Sequence, residues 1–143
     1  MGKKLVFGTM FLVGLSMLAL TSCQKDDKSA KPTVKITETG SHDAPDGKVA
    51  AGEDLHLEAE IIAEGLIAEI VVEIRQQEGG SFVIEKKFGA DSKYSGLKNA
   101  DFHEHIDIPA ETPLGRYRLR LTVIDREGQS TTAETELEVI AEE

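Results

Sequence analysis

The chain contains no tryptophan, a single cysteine, four prolines and only 5% aromatic residues. One cysteine excludes an internal disulfide. Without tryptophan or a cysteine pair, the antibody-type pin of a buried Trp on an inter-sheet bridge is excluded too, so a core must rest on aliphatic packing. Basic residues are also in deficit: 16 Lys+Arg stand against 26 Asp+Glu, a formal charge of −10 at pH 7. A surface of that sign repels nucleic acid and anionic headgroups and mildly attracts cations, so no nucleic-acid role is expected. No segment after Lys31 holds a helical period over about ten residues, which argues against helical fold classes. No Gly-rich phosphate loop occurs, and no serine or cysteine nucleophile stands beside a base in a recognisable motif. An enzyme is therefore not expected.

What is present begins with one long apolar run. Lys3 and Lys4 precede LVFGTMFLVGLSMLAL, Leu5–Leu20, an uncharged stretch of 16 residues. A bilayer-spanning helix needs about 20, so residues 1–22 read as a secretory signal peptide. The next residues, LTSC at Leu20–Cys23, resemble the lipobox of bacterial lipoproteins, whose cysteine is acylated and becomes the mature N-terminus. Stable attachment takes at least two lipid signals, which multiple acyl chains on Cys23 would supply. CQKDDK, Cys23–Lys28, is similar to the lipoprotein export signal of Bacteroidetes, which implies display on the outer face of the outer membrane. Residues 23–31 then form the acylated cysteine and a charged tether, and 32–143 the domain proper. Removing residues 1–22 takes away two lysines and no acids, so the formal charge falls from −10 to −12.

Within the domain, apolar residues recur with period two in seven short runs: Thr33–Glu38, Asp54–Ile62, Ile67–Gln76, Phe82–Phe88, Phe102–Ile108, Arg116–Asp125 and Thr131–Ile140. Turn residues punctuate them, in APDGK, AEG, EGG, PAETPLG and REGQ. This predicts an all-β fold, a single immunoglobulin-like or fibronectin type III-like antiparallel β-sandwich of about seven strands. Tyr117, following a Pro and Gly turn, is either a tyrosine corner or a plain core residue. Asp43, Asp46 and Glu53 are too few and too scattered for a calcium loop.

Parity assigns faces, because side chains alternate across a sheet. Leu55, Leu57, Ala59 and Ile61 point inward together, as do Ile70, Val72 and Ile74, Phe102, Ile106 and Ile108, Tyr117 to Val123 in steps of two, and Ala133 to Val139 in steps of two. On the expected middle strand of one sheet, Arg116, Arg118 and Arg120 then face water between Glu134, Glu136 and Glu138 on one side and Glu69, Glu73 and Arg75 on the other. Such rows furnish a solvated face through cross-strand pairs worth about 0.2–1 kcal/mol each, a blander use than an anion or glycan-carboxylate site.

By the same parity His103, His105 and Asp107 project outward together, and so do His56, Glu58 and Glu60 on the neighbouring strand. Two histidines at i and i+2 lie about 6.5–7 Å apart at Cα, a separation from which both imidazoles reach one ion. His56 would supply a third ligand and Glu58, Glu60 or Asp107 a carboxylate, while His42, in the loop before the second strand, would join if that loop folds over the face. Imidazole with carboxylate favours zinc, copper, nickel or iron over calcium and magnesium. The competing account is that a His-x-His pair on a wet strand face is incidental, and the register that decides between them is not written in the sequence.

DLHLEAEI, GLKNADFHEHIDIP and LGRYRLRLTVIDREG together resemble a Bacteroidetes family of surface lipoproteins described only as a domain of unknown function with an immunoglobulin-like fold. The resemblance covers most of Lys31–Ile140, and implies a surface lipoprotein whose histidine-rich character is compatible with metal handling. Relatives carry further histidines where this chain has Arg75 and QQEGGSF, so His56, His103 and His105 are the set left to test. The expected function is an outer-membrane, lipid-anchored protein that binds a transition metal on one sheet face, as an accessory to an uptake receptor or another surface protein. The alternative is a non-catalytic protein- or glycan-interaction module without metal.

Overall fold

The computed structural model describes residues 27–41 and 46–143; the signal peptide, Cys23 and His42 lie outside the described residues. Eight strands and no helix carry the fold there: β1 (Thr33–Gly40), β2 (Lys48–Ala50), β3 (Asp54–Ile62), β4 (Ile67–Gln76), β5 (Val83–Phe88), β6 (Asn99–Asp107), β7 (Gly115–Asp125) and β8 (Ser130–Ile140). A three-stranded sheet in the order β1-β3-β6 packs on a five-stranded sheet in the order β2-β8-β7-β4-β5. All pairings are antiparallel except β2 with β8. This is an immunoglobulin-like β-sandwich.

Alternation explains why each run becomes a half-buried strand. Leu55, Leu57, Ala59 and Ile61 on β3, Ile70, Val72 and Ile74 on β4, Phe102 and Ile106 on β6 and Tyr117, Leu119, Leu121 and Val123 on β7 are all buried, while their sequence neighbours face solvent or the rim. Leu119 and Leu121 are at 0% exposure, and burying each such side chain contributes about 1.5–3 kcal/mol. On β8 the expected inward set is only partly buried: Leu137 and Val139 are in the core, but Ala133 and Thr135 are not fully covered. The tyrosine corner is present: the buried Tyr117 hydroxyl donates to the Pro113 carbonyl at 2.7 Å, tying β7 to the turn that precedes it.

One strand more is found than the seven expected. After β1 the chain passes to the other sheet through a turn in which Asp46 and Gly47 both take positive φ, 69° and 78°, and β2 then runs parallel beside the end of β8. Three residues are too few to display a period, so β2 carries no pattern a sequence reading can detect.

Candidate metal centre

β3 and β6 pair with His56 opposite His105 and Glu58 opposite His103. The His103 amide points away from β3, toward the Tyr94 hydroxyl at 3.2 Å. The outward-facing pairs of these strands therefore belong to the non-hydrogen-bonded class, in which facing Cα atoms approach to about 4.5 Å and side chains lie closest. Register and pair class together gather the imidazoles. Ring centroids of His56 lie 4.6 Å from His103 and 5.2 Å from His105, and those of His103 and His105 are 5.7 Å apart. Each of the three offers a nitrogen within 4.8 Å of the other two.

Two carboxylates complete the cluster. Glu58 Oε1 lies 3.2 Å from His103 Nδ1 and 3.3 Å from His56 Nε2, and Glu38 Oε1 lies 3.5 Å from His56 Nδ1. Glu38 comes from β1, where the pairing shifts between Ile36 and Glu38 so that Thr37 is an extra residue. That bulge reverses the parity of the strand and turns Glu38 onto the histidine face, opposite Glu58. A strictly alternating reading of β1, with Val34 and Ile36 inward, aims Glu38 at the core, which is why the sequence pattern misses it.

These contacts constrain the chemistry. Nδ1 of His56 lies beside Glu38 and Nδ1 of His103 beside Glu58, while the two Nε2 atoms face one another at 3.1 Å. Either one imidazole donates its Nε2–H to the other, or a metal ion takes the place of that proton. The spacing suits both: 3.1 Å is an ordinary hydrogen-bond length, and metal–imidazole bonds of about 2.0–2.1 Å in tetrahedral array put neighbouring nitrogens about 3.3 Å apart. A carboxylate on the far nitrogen is the usual way a ligating histidine is oriented and made more basic.

The scaffold holds β6 at an exposed edge. Tyr94, in the β5–β6 connection, is buried, with its ring against Phe102 and Phe88. Its hydroxyl accepts from the His103 amide and donates to Glu104 Oε1 at 2.7 Å. Lys93 meets the same carboxylate at 3.1 Å, and Lys86 donates to the His105 carbonyl at 3.3 Å. Burial raises the Tyr94 hydroxyl above its ordinary pKa. Burial would also raise Glu104, but hydrogen bonds from Tyr94 and Lys93 outweigh it and hold this carboxyl below the usual range.

Of the residues the sequence nominated, His56, His103, His105 and Glu58 are brought together. Asp107 shares their face but sits opposite Asp54, one step further along, and belongs to neither group whose spacing could hold a metal ion. Glu60 is likewise a neighbour, opposite Asp101, and a groove lined by Thr37, Phe102 and these acids opens beside Glu58 and His103. Tyr94 was missed because it lies in a connection without periodicity.

Among solved structures, the wild-type OgpA of Akkermansia muciniphila superposes with a TM-score of 0.55 at 13% identity, over 78% of this chain and 30% of that one. A catalytically inactive OgpA in complex with an O-glycopeptide (glycodrosocin) substrate gives 0.51 at 12% identity, again over 78% and 30%. The chain thus spans less than a third of the length of that protein, and the likeness is one of fold. No curated protein sequence matches. Residues 21–140 match the family described as Domain of unknown function (DUF4625), and the chain belongs to that family.

Proposed function

We propose that this protein is a lipid-anchored surface protein, acylated at Cys23 and held at the outer membrane, whose sandwich domain captures a transition-metal ion through His56, His103 and His105, with the Glu58 carboxylate beside them orienting His103. The ion would be zinc, copper, nickel or iron, and its destination an outer-membrane receptor or another surface protein. One observation carries the reading: imidazoles from two adjacent strands place three nitrogens within 4.8 Å of one another, a ligand set that neutral imidazole chemistry assigns to these metals. Exposure of the face favours capture and release over a permanent structural ion, because structural sites are closed.

Elemental analysis and zinc titration of the purified protein, beside a His56→Ala, His103→Ala, His105→Ala variant, test it. The expected result is one ion per chain in the wild type and none in the variant. At a free zinc concentration about one hundred times Kd, the wild type gains about 2.7 kcal/mol of stability. Equal metal content in the two proteins would remove this site, and a wild type that takes up no metal at all would remove the function.

A further inference from the structure

The two outer faces of the sandwich differ in the balance of their cross-strand charges: the five-stranded face mixes opposite-charge pairs with the like pairs Arg75–Arg118 and Glu73–Glu85, whereas the three-stranded face gathers carboxylates. On the five-stranded sheet, Arg116 faces Glu138, Arg118 faces Glu136 and Arg120 faces both Glu134 and Glu73. Arg118 and Arg120 both contact Glu134, at 3.5 and 2.9 Å. On the three-stranded sheet, carboxylate faces carboxylate: Glu38 with Glu58, Asp54 with Asp107 and Glu60 with Asp101. Lys35, paired to Glu60, is the cation that this register sets against them, and Lys86 ends on the β6 edge. Like charges directly opposite one another destabilise a sheet, and the β3–β6 pairs are of the closer class. On the five-stranded face arginines offset the glutamates; on the three-stranded face three carboxylate pairs accumulate, a cost whose location is informative.

That location brackets the histidines. Glu60 and Asp101 lie two residues beyond Glu58 and His103, and Asp54 and Asp107 two residues beyond His56 and His105, a step of about 7 Å along each strand. The carboxylates are not themselves the site; the imidazoles are, and the acids surround them. Nor, among the described residues, does any apolar wall stand beside the rings: the exposed Ile62 is separated from them by the row of Lys35, Glu60 and Asp101. A haem or other flat apolar ligand needs such a wall.

Resting on the metal reading above, we infer that the site takes its ion as a free hydrated divalent cation, drawn in by the rim of carboxylates, and that it rejects haem and anionic chelates. A ring of one sign raises the local concentration and arrival rate of the opposite charge, and salt screens it.

Stopped-flow association of Zn²⁺ in a non-coordinating buffer tests this, comparing wild type with Asp54→Asn, Glu60→Gln, Asp101→Asn, Asp107→Asn. The substitutions keep shape and leave every ligand in place. Association of the variant is expected to slow about tenfold at low ionic strength, with the difference closing at high salt and the dissociation rate unchanged. The metal-free variant should melt higher than wild type, since none of the four substitutions touches a proposed ligand and two like-charge pairs are gone. Equal association rates at low salt, or hemin bound in a histidine-dependent way, would overturn the inference. A wild type that takes no zinc would instead sink the metal reading on which it rests, so the two failures are distinct.

Discussion

Replacing Tyr94 by Phe removes a single oxygen from the clasp that holds the edge of β6. The ring keeps its place against Phe102, 5.1 Å between centroids, and Phe88, 6.0 Å, so packing is conserved. What goes is the donor to Glu104 Oε1 and the acceptor for the His103 amide. A hydrogen bond to a charged group is worth about 1.5–3 kcal/mol. Here the loss is moderated, because Glu104 retains Lys93 and both orphaned groups lie at an edge that water reaches. A net cost of about 1–2 kcal/mol follows, which for a domain of this size lowers Tm by about 4–8 °C. Urea denaturation should move the midpoint without changing the slope, and the His103 amide should exchange faster in the native state. Zinc affinity should fall about three- to tenfold, because the His103 backbone that aims the imidazole is no longer fixed. A variant with unchanged midpoint and unchanged His103 exchange would refute the claim that the hydroxyl fixes this edge.

Tyr117→Phe loses the bond to the Pro113 carbonyl from a fully buried ring and should cost about 1–2 kcal/mol in the same assay, with zinc binding unaltered. Asp125, 2% exposed, accepts from the amides of Glu127 and Gln129 at 3.0 and 2.8 Å and from the Gln129 side chain; Asp125→Ala should destabilise by about 2–4 kcal/mol through the unsatisfied turn. Glu73 is held below its ordinary pKa, chiefly by hydrogen bonding from Arg75, with contacts of 3.2 Å to each oxygen. A depressed carboxyl contributes stability that is complete above its unfolded value and lost as pH falls through its folded one. The stability gap between wild type and Glu73→Gln should accordingly narrow as pH drops below about 4.5, and a gap independent of pH would contradict the pairing.

The parts of the fold that a sequence reveals are those that a buried face enforces. On β3, β4, β6 and β7 one side of the strand must be apolar, so the inward sets, and with them the common side of His56, His103 and His105, follow from alternation alone. Register is different: whether His56 meets His105 or a neighbour depends on how the chain between β5 and β6 returns, and a shift of two residues would satisfy the same pattern while changing which groups face His56. Glu38 was hidden by the extra residue at Thr37, since a bulge changes the phase of the very signal being read. Tyr94 was hidden because its burial is decided by the aromatic faces it meets, Phe88 and Phe102, not by any repeat. Asp107 illustrates the converse: sharing a face sets no distance limit, and it stands one step beyond the rings.

The edge held by Tyr94 and Lys86 bears on a hazard remote from metal. Bare strand margins recruit passing chains, and neighbouring copies at high concentration collide there often. By occupying the amide of His103 and the carbonyl of His105, two side chains take the places an incoming ribbon would use. The domain's solubility when crowded is thus guarded by the same bonds that keep its histidines still.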